Sequence, residues 1–361
     1  MRIFAATPLY MQGPNVIDQV GAVAARIGCV PGIVIDAQVY DLVGRSLESG
    51  FATRVTIASF SAEVTDMTVT ALGQALEGCD VIVAVGGGKA IDAGKAVALR
   101  LGTPVISVPT IASTDGPASR GIAMYDDAHR LVRVDQMPAN PAAVIVDSQV
   151  IAQAPVRFLR AGVGDAIAKT FEAEACWAGS GLTKHGTRPS YAGRAVARVA
   201  YQMLRDHAIT GLADAERHQV TEALEATIEA CVLLSAMGFE NGGLSVAHSV
   251  TRGLMTLRGA RERLHGEHVA YGALVQLATE QRGEALADLA TFLEAAGLPT
   301  SLTAMGVDDP TDGDIVHVAT ATMTSPHMRT FARPLAIADI VRAVTQVEQL
   351  AGRPNAQPTH I

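Results

Sequence analysis

The sequence has few cysteines, few aromatic residues and a deficit of basic charge. Among 361 residues there are four cysteines and one tryptophan, aromatic residues make up 4%, and 28 Lys and Arg face 36 Asp and Glu. The formal net charge of −8 argues against a nucleic-acid binder, because contact with phosphates needs a basic face. The 34 glycines follow no triplet period, which excludes a collagen-like chain.

Targeting and membrane signals are also missing. No long apolar segment follows the start Met1-Arg2-Ile3-Phe4, so we expect no signal peptide. No uninterrupted apolar run reaches about 18 residues, so we expect no membrane span. The cysteines form no CxxC pair and lie among apolar neighbours, which is typical of buried free thiols in a reducing cytoplasm. These cysteines are Cys29, Cys79, Cys176 and Cys231.

The first part of the chain alternates short apolar runs with helical spacing. With 49% hydrophobic residues the chain can bury a large core, and its length favours two domains. The apolar runs are rich in β-branched residues, which is typical of strands buried on both faces of a parallel sheet. Alternation of such strands with helices predicts an α/β domain with a doubly wound sheet. The predicted strands are 32–36, 54–58, 80–85, 104–109 and 143–147.

After about residue 155 the pattern changes to long amphipathic stretches. Strand-like runs almost vanish there, so we predict an α/β domain over 1–157 and an all-α domain over 158–361. The segment 352–358 contains two prolines and is not expected to hold a helix. The predicted helical stretches are 164–178, 190–206, 219–238, 244–258, 265–281 and 284–296.

A run of three glycines separates a predicted buried strand from a predicted helix. At Gly86-Gly87-Gly88 the backbone can turn sharply and admit a diphosphate to the amides at the helix N-terminus. The run matches neither GxGxxG nor GxxxxGK[ST], and a plain tight turn is an equal alternative. Asp36, at the end of an earlier strand, can bond a ribose 2′-OH and would favour NAD over NADP, or it can cap a turn.

Polar residues elsewhere offer further chemistry. Thr110, Ser113 and Asp115 follow a buried strand, where α/β sheets bind ligands, and the alternative is a surface loop whose hydroxyls stabilise turns. Asp165, His248 and His265 together would leave an open position on a divalent metal. Considered alone, Asp165 is more typical of a helix cap than of a metal ligand, and His248 is more typical of a hydrogen-bonded core histidine. His265 with His268 forms a possible local metal pair in HGEH, which is not the HExxH motif.

In combination and in order, these segments resemble glycerol dehydrogenases, within the iron-containing (group III) alcohol dehydrogenases. The resemblance runs from about residue 8 to about residue 305. It implies an N-terminal Rossmann-like domain, a helical C-terminal domain, a cleft between them and assembly as a homo-oligomer, commonly an octamer. The motifs are Gly86-Gly87-Gly88-Lys89 with Asp92, 109–115, Gly164-Asp165-Ala166, Gly238-Phe239-Glu240, Ala247-His248 and 265–272.

The resemblance also implies site residues. Asp165, His248 and His265 would bind one divalent metal, most often zinc in this branch, with iron or manganese as alternatives. Asp115 would contact the substrate. The implied catalytic residues are Asp115 and the three metal ligands. The implied cofactor is NAD, and the positions implied to contact it are Asp36, Gly86, Gly87, Gly88, Lys89, Asp92, Thr110, Ser113, Ser119 and Tyr125.

Two departures bear on the substrate. The first lies after the metal-binding histidine, where glycerol dehydrogenases usually have a second His followed by Asn and this chain has Thr251 and Arg252. The second is Arg120, at a position where the family usually has a small residue. Arginine binds carboxylate and phosphate well, so one hypothesis is an anionic substrate. The other is that both arginines are surface or interface residues.

We therefore expect a cytoplasmic, NAD- and metal-dependent oxidoreductase. It would interconvert a secondary alcohol, either glycerol or a related polyol or 1,2-diol, and its ketone, with no nucleic-acid or membrane partner. The first alternative is a dehydrogenase of an anionic hydroxy compound, such as a 2-hydroxyacid or a phosphorylated or phosphonate alcohol. A lyase resembling dehydroquinate synthase and a non-catalytic metabolite-binding protein are the others.

Overall fold

The computed structural model describes residues 1–352. By their internal contacts these residues form two compact units. The sheet unit comprises Ala5–Gly162 and Thr210–Met237, and the helical unit comprises Met1–Phe4, Val163–Ile209 and, among the described residues, 238–352. The predicted domains, 1–157 and 158–361, stay a prediction. The part of the tail prediction that concerns residues 353–358 lies outside the described residues.

All eight strands of the described chain belong to the sheet unit. Six form a parallel sheet in the order β1-β8-β5-β4-β2-β3, and β6 and β7 form an antiparallel hairpin. The chain runs from β2 outward to β3 and then returns to add β4 and β5 on the other side, which is the doubly wound arrangement that was predicted. The strands are β1 Tyr10–Gly13, β2 Pro31–Asp36, β3 Thr56–Phe60, β4 Val81–Gly86, β5 Val105–Pro109, β6 Gly121–Tyr125, β7 Leu131–Gln136 and β8 Ala143–Asp147.

The sheet is covered by apolar side chains on both faces. Along β2, Ile33 and Ile35 belong to one buried cluster and Val34 to the other, as the two-residue repeat of a strand requires. Helices α3 (Asp66–Ala75) and α4 (Gly88–Leu101) contribute to the cluster that contains Val34. Burial on both faces explains why β2, β4, β5 and β8 read as almost continuous apolar runs.

One helical segment after residue 158 belongs to the sheet unit. Helix α9 (Glu222–Glu229) is bonded to it through Glu225, whose carbonyl accepts from Gln12 Nε2 at 2.9 Å. The Glu225 carboxylate accepts from Ser148 Oγ at 2.6 Å. These bonds explain why residues 210–237 group with the strands. The other helices of this unit are α1 Val20–Ala24, α2 Arg45–Ser49 and α5 Ser148–Gln153.

The helical unit contains no strand within the described residues. Three helices continue from one unit into the other along the chain: α6 Val156–Ile167, α8 Tyr191–Glu216 and α10 Ser235–Gly242. The remaining helices are α7 Lys169–Ala178, α11 Val246–Leu254, α12 His265–Thr279, α13 Gly283–Ala295, α14 Asp312–Thr322 and α15 Ile337–Ala351.

Two further sequence predictions can be compared with the structure. All four thiols are free, but Cys29 is exposed, so the prediction of a buried thiol is wrong there. Cys29 lies in the turn before β2, where Asp80 accepts its backbone N–H at 2.9 Å. Among the described residues no single helix is long and apolar enough to cross a membrane. The segments Glu222–Gly242 and Val246–Leu254 meet that test only when taken together across a break.

Candidate active site

In the sheet unit, the glycine turn lies where β4 and β2 end side by side. Gly86 has φ +139°, and a Cβ added there would lie 2.7 Å from Asp36 Cβ and 2.8 Å from Ala90 Cβ. Only glycine therefore lets the start of α4 approach the end of β2 this closely. This is also the point at which the connections from neighbouring strands diverge, the usual ligand position in an open α/β sheet.

The N-terminus of α4 has the features of an anion site. Its N-cap, Gly87, provides no side chain to bond the first amides. A Cβ added at Gly88 would meet only Thr114 Oγ1, at 3.8 Å, so the space in front of this turn is open. Thr110 donates its backbone N–H to the Gly86 carbonyl at 3.0 Å. Its buried hydroxyl has no hydrogen-bond partner among the described residues.

Several other residues predicted to contact NAD have structural partners. Asp36 accepts the backbone N–H of Gln38 at 2.9 Å, which confirms its alternative role as a turn cap. Asp92 bonds Lys95 at 2.8 Å and the Ala123 amide at 3.0 Å, so it anchors strand β6. Lys89 pairs with Glu63 and lies 5.7 Å from the centre of the Tyr125 ring.

The hydroxyl groups near this turn differ in their surroundings. Burial, with added repulsion from Asp92 and Glu63, raises the pKa of Tyr125 to about 12, so its hydroxyl remains a hydrogen-bond donor at neutral pH. Ser119 donates to the Gly116 carbonyl at 3.3 Å, and Ser113 is half-buried.

The loop after β5 also carries two residues predicted to contact the substrate. Asp115 is buried and accepts a hydrogen bond from Ser235 Oγ at 2.7 Å. Arg120 is half-buried, and its carbonyl accepts from the Met137 amide at 3.0 Å. Both residues belong to the sheet unit.

The helical unit brings the three predicted metal ligands together. Asp165, His248 and His265 each offer one ligand atom, and these atoms lie within 4.8 Å of one another. Asp165 Oδ1 lies 3.3 Å from His248 Nε2 and 4.0 Å from His265 Nε2. The exposed side-chain fraction is 3% for Asp165, 11% for His248 and 48% for His265, so the cluster is open on the His265 side.

Glycines next to the ligands allow the helices to meet. A Cβ at Gly164 would lie 2.4 Å from the Gly266 carbonyl oxygen, so α6 contacts the first turn of α12 backbone to backbone. A Cβ at Gly272 would lie 2.2 Å from the Ala247 carbonyl oxygen, which packs α12 equally closely against α11. These two contacts place Asp165 and His248 against His265.

Glu172 orients His248 from behind. Its Oε2 lies 2.6 Å from His248 Nδ1, and its Oε1 accepts the backbone N–H groups of Ser245 at 2.8 Å and His248 at 3.0 Å. A proton on Nδ1 leaves Nε2 free to act as a ligand, which is the usual arrangement behind a metal-binding histidine. Burial alone would raise the pKa of Glu172, but His248 and Lys169 outweigh it and hold the pKa below its ordinary value.

Burial and the neighbouring charges shift the pKa of each candidate ligand, and not all in one direction. Burial opposes ionisation of Asp165, yet Lys169 and His248 hold its pKa well below the ordinary value. The protein around the ring, together with the charges on His248 and Lys169, outweighs Asp165 and lowers the pKa of His265, which favours its neutral form. Burial disfavours the charged form of His248, but Glu172 prevails and raises its pKa.

The sequence reasoning missed Glu172 and Lys169. Both side chains are buried, and Lys169 Nζ lies 2.6 Å from Asp165 Oδ1 and 3.1 Å from His248 Nε2. The available signal was their spacing, because positions four and seven after Asp165 return to the same face of a helix. Charged residues on an inward face require partners.

The HGEH alternative is not supported. His268 is buried, and its Nε2 lies 2.7 Å from the Ala260 carbonyl oxygen. Glu267 accepts the Leu264 backbone N–H at 2.8 Å and so caps α12. Within the described residues, His268 belongs to no group of ligand atoms with metal-binding spacing. Of the motif, His265 alone joins the metal-site candidate.

The two departures on α11 have visible contacts. Thr251 donates its hydroxyl to the His248 carbonyl at 2.7 Å. Arg252 is exposed and contacts the Thr324 carbonyl at 3.3 Å. The segment Pro326–Thr330 packs against α11 and borders a cavity of about 390 Å³, lined in part by Lys184, His327 and Arg329.

Comparisons with known proteins identify the family. Residues 11–155 match the model described as iron-containing alcohol dehydrogenase. Glycerol dehydrogenase from Thermotoga maritima is 39% identical over 314 residues, 86% of each chain. The crystal structure of glycerol dehydrogenase from Schizosaccharomyces pombe superimposes with a TM-score of 0.92 at 29% identity, covering 97% of this chain and 91% of that one. A more distant relative, hydroxycarboxylate dehydrogenase A from Escherichia coli, is 30% identical over 67% of each chain.

These findings confirm the predicted fold class and the prediction of an alcohol dehydrogenase. The α/β sheet unit and the helical C-terminal part are those of glycerol dehydrogenase structures. The lyase and non-catalytic alternatives find no support among these relatives. The chain belongs to the glycerol dehydrogenase branch of the iron-containing alcohol dehydrogenase family.

Proposed function

We propose that this enzyme is an NAD- and divalent-metal-dependent dehydrogenase that interconverts glycerol, or a related polyol or 1,2-diol, and the corresponding ketone. The observation that carries the proposal is the cluster of Asp165, His248 and His265 in a chain of this family. The names of the relatives support the substrate class. The glycine turn of the sheet unit supports NAD, and the Asp-His-His cluster of the helical unit supports the metal.

The donor atoms suit a divalent metal. Two atoms that each lie about 2.0–2.2 Å from one zinc ion are at most roughly 4.4 Å apart, and both measured separations from Asp165 Oδ1 fall within this limit. A donor set of one carboxylate and two imidazoles also suits iron(II) and manganese(II). When bound, such a metal supplies Lewis acidity that makes an alcohol easier to deprotonate. Asp165 provides the negative charge, and Glu172 holds His248 in place.

The glycine turn suits a dinucleotide. The open space in front of Gly88 and the uncapped first turn of α4 would receive the diphosphate. The unpartnered Thr110 hydroxyl would bond the ligand, and the Asp36 carboxylate would disfavour a 2′-phosphate, which supports NAD over NADP. NAD supplies the hydride acceptor, while the protein positions it. The Thr251 hydroxyl is committed to the His248 carbonyl and does not replace an imidazole as proton acceptor.

The test is a metal- and substrate-dependence assay. The purified protein is stripped with a chelator, reloaded with Zn²⁺, Fe²⁺ or Mn²⁺, and assayed for NADH formation from glycerol and 1,2-propanediol. We expect stripping to abolish turnover and one of the metals to restore it. His265→Ala should stay inactive after reloading, whereas His317→Ala, an exposed histidine of α14, should match the unaltered enzyme. Near-normal turnover by the stripped enzyme contradicts the proposal.

A second candidate substrate is an anionic hydroxy compound such as a 2-hydroxyacid. The observation that favours it is the positive charge of Lys184, Arg252 and Arg329 on and beside the cavity next to α11. Burial, reinforced by Lys184 and His248, lowers the pKa of His327 to about 3, so His327 itself adds no positive charge there at neutral pH. The relationship to a hydroxycarboxylate dehydrogenase is consistent with it.

A substrate panel separates the two candidates. Glycerol, 1,2-diols and 2-hydroxyacids are compared by kcat/KM, with Arg252→Gln beside the unaltered enzyme. An anionic substrate predicts that Arg252→Gln lowers kcat/KM for 2-hydroxyacids by roughly tenfold and leaves the neutral diols unchanged. Activity confined to neutral polyols in both proteins would rule this candidate out.

A further inference from the structure

The ammonium group of the buried Lys169 contacts two of the atoms that would bind a metal. Its Nζ lies 2.6 Å from Asp165 Oδ1 and 3.1 Å from His248 Nε2, and its side chain is 1% exposed. The carboxylate oxygen accepts a hydrogen bond from the ammonium group. His248 Nε2 can also accept one when the neutral ring carries its proton on Nδ1, next to Glu172. These are the same lone pairs that a metal at this site needs.

The charges around Lys169 explain why an ammonium group is tolerated there. Asp165 lies four positions before Lys169 and Glu172 three positions after it, and the exposed side-chain fractions of these two carboxylates are 3% and 0%. A buried carboxylate without a counter-charge is costly, so the ammonium compensates the pair in the protein without metal. A divalent cation bound to Asp165 and His248 would provide the same compensation, but it would repel an ammonium group that contacts the same two atoms.

We propose that Lys169 is a tethered cation that competes with the divalent metal for Asp165 and His248. Loading the site then requires the ammonium to leave these two atoms, which lowers the affinity for metal and keeps the metal-free site compensated. The flexible stem permits such a movement, and the ring of Phe239, whose centre is 5.5 Å from Nζ, offers a cation–π contact that uses neither ligand atom. The inference rests on the proposed metal site.

The experiment compares metal affinity in variants that remove the charge. Lys169→Met keeps the length of the stem, and Lys169→Gln keeps a hydrogen-bond donor. The control is Lys95→Met, since Lys95 is also fully buried and paired with an aspartate three positions earlier, but in the sheet unit. Dissociation constants for Zn²⁺ and Mn²⁺ are measured on stripped protein by competition with a chromophoric chelator, and melting temperatures are recorded with and without metal.

We expect both Lys169 variants to bind Zn²⁺ more tightly by roughly tenfold or more, because a repelling charge has been removed. Lys95→Met should bind it like the unaltered protein. Without metal, Lys169→Met should melt below the unaltered protein, and Zn²⁺ should raise its melting temperature by a larger amount. Equal or weaker Zn²⁺ binding by folded Lys169 variants overturns the inference.

The outcomes also separate this inference from the proposed function. If neither the unaltered protein nor the variants bind metal, both proposals fail. If all bind with equal affinity, only the role of Lys169 fails. If a variant does not fold without metal, it is purified with Zn²⁺ bound, and the rate at which excess chelator removes the Zn²⁺ is measured. Slower release than from the unaltered protein supports the inference, and equal or faster release overturns it.

Discussion

Glu172 Oε2 and His248 Nδ1 lie 2.6 Å apart in the interior of the helical unit. The other oxygen of this carboxylate accepts two backbone N–H groups at the start of α11. Glu172 therefore fixes both the helix that carries His248 and the rotation of the imidazole ring. The orientation of one candidate metal ligand depends on a residue that would not itself touch the metal.

Replacing Glu172 by Gln should weaken metal binding. A neutral amide is a poorer acceptor for His248 Nδ1–H, so the ring loses its fixed orientation and some of its basicity. Loss of such a partner costs about 10- to 100-fold in metal affinity. The measurement is Zn²⁺ affinity by chelator competition, with Glu294→Gln, an exposed glutamate of α13, as the control. Unchanged affinity in a folded Glu172→Gln protein would show that His248 does not need this contact.

Gly164→Ala should separate Asp165 from His265. The new methyl group would lie 2.4 Å from the Gly266 carbonyl oxygen, and backbone cannot give way as a flexible side chain does. Overpacking of this kind costs about 1–3 kcal/mol in the free energy of unfolding, and the displaced α6 should lower metal affinity as well. Chemical denaturation and Zn²⁺ titration test both effects.

Gly313→Ala on α14 is the matched control for that change, because its methyl group would meet Thr311 Oγ1 at an ordinary 3.4 Å. It should bind Zn²⁺ as the unaltered protein does. A Gly164→Ala protein that keeps both its stability and its Zn²⁺ affinity would refute the close approach of α6 and α12.

Gly88→Ala should leave the fold intact and weaken NAD binding. The methyl group meets nothing closer than 3.8 Å, and alanine is the better helix former, so the melting temperature should stay equal or rise. If a diphosphate occupies the space in front of α4, the methyl group obstructs it. The dissociation constant for NAD, measured by calorimetry, should rise roughly tenfold, or about 1.4 kcal/mol.

Gly283→Ala provides the comparison for this variant, since Gly283 is also the first residue of a helix and has nothing within 4 Å of the added methyl group. It should bind NAD normally. Equal NAD affinity for Gly88→Ala and Gly283→Ala would show that the dinucleotide does not bind at the glycine turn.

Glu348 should make the stability of the helical unit depend on pH. It accepts hydrogen bonds from the Tyr271 hydroxyl at 2.7 Å and the Leu302 amide at 3.1 Å, but burial outweighs both and raises its pKa. With the folded pKa above the unfolded value, the folded state binds more protons in between, so stability falls as pH rises through the raised pKa.

The comparison that tests this uses Glu348→Gln, which cannot ionise. Between about pH 4 and pH 8, the unaltered protein should lose stability relative to Glu348→Gln in urea denaturation. The exposed Glu294→Gln should follow the unaltered protein across the range. A constant difference between Glu348→Gln and the unaltered protein would mean that Glu348 keeps an ordinary pKa.

Much of the fold could be predicted because burial leaves a pattern in the sequence. Strands β2, β4, β5 and β8 are buried on both faces, and each was predicted to within about a residue. Strand β3 lies two residues later than the predicted 54–58, at the less buried edge of the sheet. The β6–β7 hairpin was missed because β7 is largely exposed and carries no inward-facing apolar repeat.

The sequence by itself determined the alternation of strands and helices and the glycine turn, and through a resemblance it suggested three candidate metal ligands. Only the tertiary structure decided that Asp165, His248 and His265 meet, because their proximity depends on helices that approach through Gly164 and Gly272. It also showed what surrounds them. Whether a buried charge such as Lys169 or Glu172 is compensated depends on atoms supplied by other helices, and local sequence does not carry that information.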